Sequence, residues 1–360
     1  MNRHSLLLLS GLSLLLAACA SPNQVTRVAP QDSVVPLAKD GRYQNLYPGE
    51  KTYPVTCEQS CYPPHPDVIC QAPAEQCRYQ GTQQAPSMAT GFTVRWLGHA
   101  SFAVTAPDGQ YLLFDPVSDQ FDWPVNWAAA LSDGTWRTRG EWPMEEDLAR
   151  TSAVFYSHLH YDHFNKDDIR RIGNQARYFV ALDSASHFAD NGYQITEMAW
   201  FTRRALGELT VHAVPAHHFN SRIWVPYLYE DNERSLWAGW LVEHGGKKLF
   251  FAGDTGYSEH FKDIHQRYGQ IDICLLPIAS YHHEQYARWY RYVHTTPEDA
   301  LTAADELGCK VMIPWGYGNA SWQMGDKSSH SALLRLLSMR KQMDSRVPLL
   351  ILNEGQQVSL

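Results

Sequence analysis

Ser157-His158-Leu159-His160-Tyr161-Asp162-His163 follows directly on Ala153-Val154-Phe155-Tyr156, a β-branched and aromatic run that reads as a buried strand. Three imidazoles and a carboxylate this close together are costly to pack unless something gathers them. A divalent metal does so, because neutral imidazole and carboxylate oxygen are good ligands for zinc and similar ions. At the carboxyl end of a strand, the alternate residues His158 and His160 can point towards one ion. Asp162 and His163, on the next turn, are placed for a second.

Further ligands are expected at the ends of later strands. Val214-Pro215-Ala216-His217-His218 closes one strand, with His217 and His218 competing for the role. Phe251-Ala252-Gly253-Asp254-Thr255-Gly256 closes another, its glycines allowing backbone to approach closely. Tyr292-Val293-His294 precedes a helix that starts near Pro297. Each alone is a weak signal; four in order are not.

Around this centre the chain reads as short strands first: Phe92–Leu97, Ser101–Thr105 and Tyr111–Phe114. Strand and helix then alternate. Strands are expected at Ala153–Tyr156, Glu208–Pro215, Leu236–Val242, Lys248–Ala252, Ile271–Pro277, Lys310–Ile313 and Leu349–Leu352. Helices are expected at Asp167–Gly173, Ser258–Tyr268, Pro297–Leu307 and Ser331–Met343. The pattern predicts a layered α/β domain with helices outside. Residues 118–150, with Trp123, Trp127, Trp136 and Trp142, read as an insertion or long loop that can offer an aromatic surface to lipid.

The N-terminus reads as a targeting segment. Arg3 is followed by an apolar run, Leu6 to Ala18, too short for the ~20 residues of a spanning helix. It ends in Leu16-Ala17-Ala18-Cys19, which resembles a bacterial lipobox and implies cleavage before a lipid-modified Cys19. No Asp follows that Cys, so an outer-membrane lipoprotein facing the periplasm is expected. Three regions result: a signal at 1–18, a tether with a Cys-rich knot at 19–90, and a catalytic domain at 91–360. Cys57, Cys61, Cys70 and Cys77 cluster without zinc-ribbon spacing, and in an oxidising compartment they predict two disulfides of open connectivity. Cys274 and Cys309 read as buried thiols, a bridge between them remaining open. The 360 residues are 44% hydrophobic and 19% charged, an ordinary globular balance. A net charge of -8 and an envelope address both argue against nucleic acid as a partner.

The motifs together resemble the metallo-β-lactamase-fold hydrolases, an αβ/βα four-layer sandwich. More closely they resemble the branch typified by N-acylphosphatidylethanolamine-hydrolysing phospholipase D. The matching stretches are Trp96–Ser101, Phe114–Val117, Ser157–His163, Pro215–His218, Ala252–Tyr257 and His294–Asp299. The resemblance implies that His158, His160 and His218 hold one ion, that Asp162, His163 and His294 hold the other, and that Asp254 bridges them. It also favours His218 over His217. Asp254 and Asp162 are then the catalytic carboxylates, and two divalent ions, zinc by ligand type, share a hydroxide ~3.5–4 Å from one another. The implied activity is phosphodiester hydrolysis on a phospholipid held near the membrane. Lactone, carboxylic-ester or amide hydrolysis is the alternative, and a non-catalytic envelope lipoprotein retaining the fold is the reading outside enzymes; that last reading predicts lost ligands, yet all seven positions are filled. One departure stands out: the branch has Ile-His-Trp-Gly where this chain has Ile313-Pro314-Trp315-Gly316. His282 and His283 are candidates to rebuild that wall as substrate contacts, and His99 reads as a supporting residue.

Overall fold

The computed structural model describes residues 21–29, 40–48, 61–71, 76–82, 89–118, 122, 141–225, 228–282, 291–319 and 328–360. In chain order the strands are β1 Gln24–Val28, β2 Val68–Gln71, β3 Gln76–Tyr79, β4 Thr93–Gly98, β5 Ser101–Thr105 and β6 Tyr111–Phe114. They continue with β7 Thr151–Phe155, β8 Arg177–Ala181, β9 Gln194–Met198, β10 Arg203–Leu206, β11 Leu209–Val214 and β12 Ser221–Val225. The last six are β13 Leu228–Asn232, β14 Gly239–His244, β15 Lys247–Phe251, β16 Ile273–Pro277, β17 Val311–Trp315 and β18 Gln357–Ser359. The helices are α1 Glu145–Ala149, α2 Lys166–Ile172, α3 His260–Tyr268, α4 Pro297–Glu306 and α5 Ser331–Gln342.

Among the described residues two large sheets form, eight strands in the order β1-β9-β8-β7-β6-β5-β4-β18 and six in the order β10-β11-β14-β15-β16-β17. Alternation along the strands of the first sheet separates two apolar layers. Phe102, Phe114, Phe155 and Phe179 face the second sheet, where Phe251 and Trp240 meet them at ring-centroid distances of 5.4–6.4 Å. Leu113, Val154, Tyr156 and Tyr178 face the other way, against Leu148 of α1 and Ile169 and Ile172 of α2. Helix α4 packs on β16 and α5. The result is the sandwich expected, sheets inside and helices outside.

Several expectations need correction. Residues 19–90 are not only a tether: β1 is an edge strand paired in parallel with β9, from Gln24 opposite Gln194 to Val28 opposite Met198. Its polar, exposed sequence carries no apolar alternation to announce it. Within 118–150, Glu145–Ala149 is helical, and Trp142 packs beneath the Arg171 guanidinium, 4.9 Å from its ring centroid, so it braces α2. Trp123, Trp127 and Trp136 lie outside the described residues. Leu349–Leu352 forms no strand and contributes one isolated bridge, Met312 to Leu349. Strand β8, Arg177–Ala181, is a further buried parallel strand between β7 and β9 that the sequence expectations do not include.

Cys274 and Cys309 are disulfide-bonded rather than free. So are Cys70 and Cys77, directly opposite one another in the β2–β3 hairpin. Cys61 is also in a disulfide, which leaves no tetrathiolate zinc site. Cys57, like Cys19, lies outside the described residues.

Candidate metal centre

Three strand ends and the approach to one helix build the centre. The loop after β7 carries His158, His160, Asp162 and His163; the segment after β11 carries His218; the turn after β15 carries Asp254; and His294 stands just ahead of α4. Gly253 has φ +63, and a Cβ there would fall 2.6 Å from the Ser157 Cβ, so only glycine lets the Asp254 turn lie against the β7 loop. Thr295 ties the His294 segment down, its N–H donating to Thr255 O at 2.7 Å and its hydroxyl to Pro277 O at 2.6 Å. Thr296 then caps α4 in a capping box with Asp299.

All seven residues singled out in the sequence meet around one carboxylate oxygen. Asp254 Oδ2 lies 3.1 Å from His163 Nε2 and from His294 Nε2, and 4.0 Å from His158 Nε2 and from His218 Nε2. His160 Nδ1 sits 2.9 Å from His158 Nε2 and 3.2 Å from His218 Nε2. Asp162 Oδ2 is 3.7 Å from His163 Nε2. By distance, His158, His160 and His218 group with Asp254, Asp162 groups with His163, and His163 and His294 make the shortest approaches to Asp254 Oδ2. His158, His163 and His218 are buried, whereas His160, Asp162 and His294 are partly exposed, so the centre opens on their side.

The surrounding hydrogen bonds fix which ring nitrogens keep a lone pair. Ser157 donates its hydroxyl to Asp115 Oδ2 at 2.5 Å and accepts from His158 Nδ1 at 2.8 Å. His218 donates from Nδ1 to Val293 O at 2.9 Å. His163 donates from Nδ1 to Asp115 Oδ2 at 2.8 Å. The facing Nε2 atoms are left for a ligand. His158 Nε2 and His218 Nε2 both aim at His160 Nδ1, which holds at most one proton, and buried His163 Nε2 has no well-formed hydrogen bond among the described residues. This donor set fits a divalent ion.

Electrostatics point the same way. Burial, reinforced by neighbouring imidazoles, holds His158 and His218 well below the usual histidine range and pushes His160 down to about 4. These rings are neutral at pH 7, the form that binds metal. Burial opposes ionisation of Asp162 and Asp254, yet His163 beside them keeps both carboxyls well below their ordinary value. His163 in turn is held protonated against burial by Asp254 and Asp162. The pocket draws positive charge, and the proton on His163 is what an ion would displace.

Three further residues hold the loop in place. Asn220 Oδ1 accepts from Leu159 N at 2.7 Å, and its amide donates to Ser235 O and Leu236 O. Fully buried Arg222 donates to Leu159 O at 2.8 Å and Phe164 O at 3.1 Å, pairs with Asp122, and lies 4.2 Å from the Tyr161 ring centroid. The buried Asp115 carboxylate receives Ser157 and His163 as described. Asp115 lies within the Phe114–Val117 stretch that the sequence already marks, whereas Asn220 and Arg222, two residues apart just after His218, offer only their position. His99, with φ +50, donates to Asp162 Oδ2 at 3.0 Å, a supporting contact as expected. His217 is turned away, its ring nitrogens 2.7 Å from Tyr292 O and 3.1 Å from Tyr47 O. Pro314 lies within the edge strand β17, where a missing N–H is tolerated. His282 is partly exposed and not among the clustered residues; His283 lies outside the described residues.

A beta-lactamase superfamily domain matches residues 110–317. The chain belongs to the beta-lactamase superfamily. The sandwich is the metallo-β-lactamase fold. The chain is 31% identical over 238 residues to an uncharacterized protein of Mycobacterium tuberculosis, covering 63% of this chain and 59% of that protein. It therefore spans less than two thirds of those relatives' length. An N-acyl-phosphatidylethanolamine-hydrolyzing phospholipase D of Caenorhabditis elegans is 29% identical over 246 residues, 63% of this chain and 64% of that protein. The outer membrane protein RomA of Klebsiella pneumoniae is 31% identical over 119 residues, 33% of this chain and 82% of that protein. Among solved structures, the metallo hydrolase Igni18 of Ignicoccus hospitalis superposes with a TM-score of 0.53 at 20% identity, covering 75% of this chain and 98% of that one; at that identity the likeness speaks for the fold alone.

Proposed function

We propose that this superfamily member is a binuclear phosphodiesterase acting on a phospholipid, in the manner of a phospholipase D. The observation that carries the reading is the convergence of His158, His163, His218 and His294 on Asp254 Oδ2, with His160 and Asp162 beside them, more donors than one ion takes; we read His158, His160 and His218 as one site and Asp162, His163 and His294 as the other, with Asp254 between them. Divalent ions in such a pair of sites, zinc by donor type, supply Lewis acidity that acidifies water and neutralises charge growing on a phosphoryl group. The protein's part is to hold neutral imidazoles ready, to keep Asp162 and Asp254 ionised, and to fix ring orientation through Ser157, Asp115 and Val293 O. The likeness to the worm phospholipase D favours a lipid phosphodiester, and the likeness to RomA favours an envelope address. With the Leu16–Cys19 motif, we read the protein as a lipoprotein anchored through Cys19 in the outer membrane and facing the periplasm.

The test pairs metal content with turnover of bis-(p-nitrophenyl) phosphate and of an N-acyl phosphatidylethanolamine, using protein exported without residues 1–19. About two ions per chain and phosphodiester cleavage are expected. In Asp254→Ala, cleavage should fall by at least ~10³-fold and metal content should drop. Two ions without phosphodiester cleavage would transfer the assignment to lactones and carboxylic esters. A protein that binds no metal would overturn the reading.

A further inference from the structure

Residues 40–48 lie outside the stretch matched by the superfamily domain, 110–317, yet they pass beside His218 as a strap. Tyr43 N donates to Glu233 O at 2.7 Å, and the Tyr43 hydroxyl donates to Asp183, the carboxylate that also pairs with Arg27 of β1. The Tyr47 hydroxyl donates to Asp263. The strap is thus pinned on both flanks of Asn45.

Asn45 meets the backbone of His218 with both ends of its amide. The amide N–H donates to His218 O at 2.9 Å, and Oδ1 accepts from His218 N at 2.8 Å. Trp237 Nε1, which can only donate, lies 3.1 Å from the same Oδ1 and decides which way round the amide sits. A side chain that takes up the N–H and the C=O of one residue does for it what a neighbouring strand would. His218 lies beyond the end of β11 and is 1% exposed, and among the described residues no main-chain group bonds to its N–H or C=O. Buried backbone groups are almost always paired, and here Asn45 pairs them. The bond from His218 Nδ1 to Val293 O sets the rotation of the ring but not where the main chain stands. The β7 loop and the His294 segment are held from within the matched stretch, by Asn220, Arg222 and Thr295. His218 is held from outside it.

We propose that Asn45 is a positioning residue of the metal centre. It fixes the main chain of His218 so that Nε2 stays within reach of an ion, and the catalytic unit therefore begins at the strap rather than at residue 91. The proposal rests on His218 as a metal ligand and not on which ester is cleaved.

The test measures metal binding on the exported chain lacking residues 1–19. Zn²⁺ affinity is read by competition with a chromophoric chelator, and Co²⁺ in place of zinc reports ligand geometry through its visible absorption. Asn45→Ala removes both bonds to His218, and Asn45→Leu removes them while keeping volume. Asn45 is partly exposed, so both variants should retain the circular dichroism of the parent. In each, one step of the Zn²⁺ titration should weaken by about 10–100-fold, and the cobalt spectrum should change. Tyr43→Phe removes a strap anchor without touching His218; it should lower the urea midpoint and leave the Zn²⁺ affinity and cobalt spectrum as in the parent. Should Tyr43→Phe weaken zinc as much as Asn45→Ala, the strap acts only as packing and the proposal is overturned. Parent-like zinc and cobalt binding in both Asn45 variants, with His218→Ala impaired, would overturn the proposal while sparing the ligand assignment. Parent-like binding in His218→Ala would overturn that assignment and the proposal with it.

Discussion

Arg222 shows how much of the centre rests on a residue that binds no substrate. Its guanidinium is fully buried, satisfies two carbonyls of the metal loop, and is neutralised by Asp122. Removing one partner strands a buried charge, an effect of roughly 3–5 kcal/mol. Asp122→Ala is therefore expected to lower stability by about that amount, whereas Arg222→Met with Asp122→Leu should recover part of it, measured as urea midpoints. Equal losses in the single and double variants would show that the pair matters only as packing. The liganding residues were legible in the sequence because histidines and aspartates at strand ends have few other uses. Arg222 and Asn220 were not, because a buried arginine or asparagine becomes informative only once its carbonyl partners, far away in sequence, are known.

At the scale of elements, the Cys274–Cys309 disulfide joins β16 to the turn that leads from α4 into β17, across a separation of 35 residues. These two strands pair in parallel, and parallel strands are linked only through a long crossover. A cross-link that closes a loop of this length stabilises by roughly 3–4 kcal/mol, mostly by limiting the unfolded chain. Cys274→Ala with Cys309→Ala should lower the melting temperature, and a reducing agent should lower that of the parent much more than that of the double variant. An unchanged melting temperature would mean that the native packing alone sets β17. Sequence pattern placed most elements to within a residue or two, β5 and β6 at their observed limits among them. It lacked β1, β2, β3, β8, β9, β10, β12, β13, β18 and α1, most of them short or polar, and it made a strand of Leu349–Leu352, where apolar character serves packing rather than pairing.

For the whole molecule, several histidines buried away from the metal centre make stability depend on pH. Burial pushes His330 and His212 down to about 4, so both stay neutral in the fold while an unfolded chain protonates them below about 6.5. The unfolded state then binds more protons, and stability must fall as pH drops from about 6.5 towards 4, by up to about 1.4 kcal/mol per pH unit for each group. His330 meets Tyr317 edge to face at 5.2 Å between centroids, so His330→Phe keeps an aromatic ring there. Its stability curve should be flatter than the parent's between pH 6 and 4; parallel curves would remove His330 from the account. Domain layout was readable only in part for a related reason: a polar segment shows its role through partners, and Gln24–Val28 and Asn45 find theirs on β9 and His218.

The pairing of β1 also sets where an anchored molecule can reach. Ser21 O already accepts from Gly192 N at 2.8 Å, and the Asn23 side chain bonds the Ala189–Tyr193 turn, so a lipid on Cys19 would leave a leash of two residues, about 7 Å. Strand β1 runs parallel to β9, β8 and β7, and the metal loop leaves the far end of β7. The start of β1 and the metal loop thus lie towards opposite ends of the sheet, and a lipid on Cys19, as proposed, would hold the metal loop outward from its own bilayer. Lipid offered in separate vesicles should be cleaved faster than lipid in the vesicle that carries the enzyme, and a dozen Gly-Ser residues inserted after Ala20 should erase the difference. A tether of this kind restricts the enzyme less to a surface than to a direction.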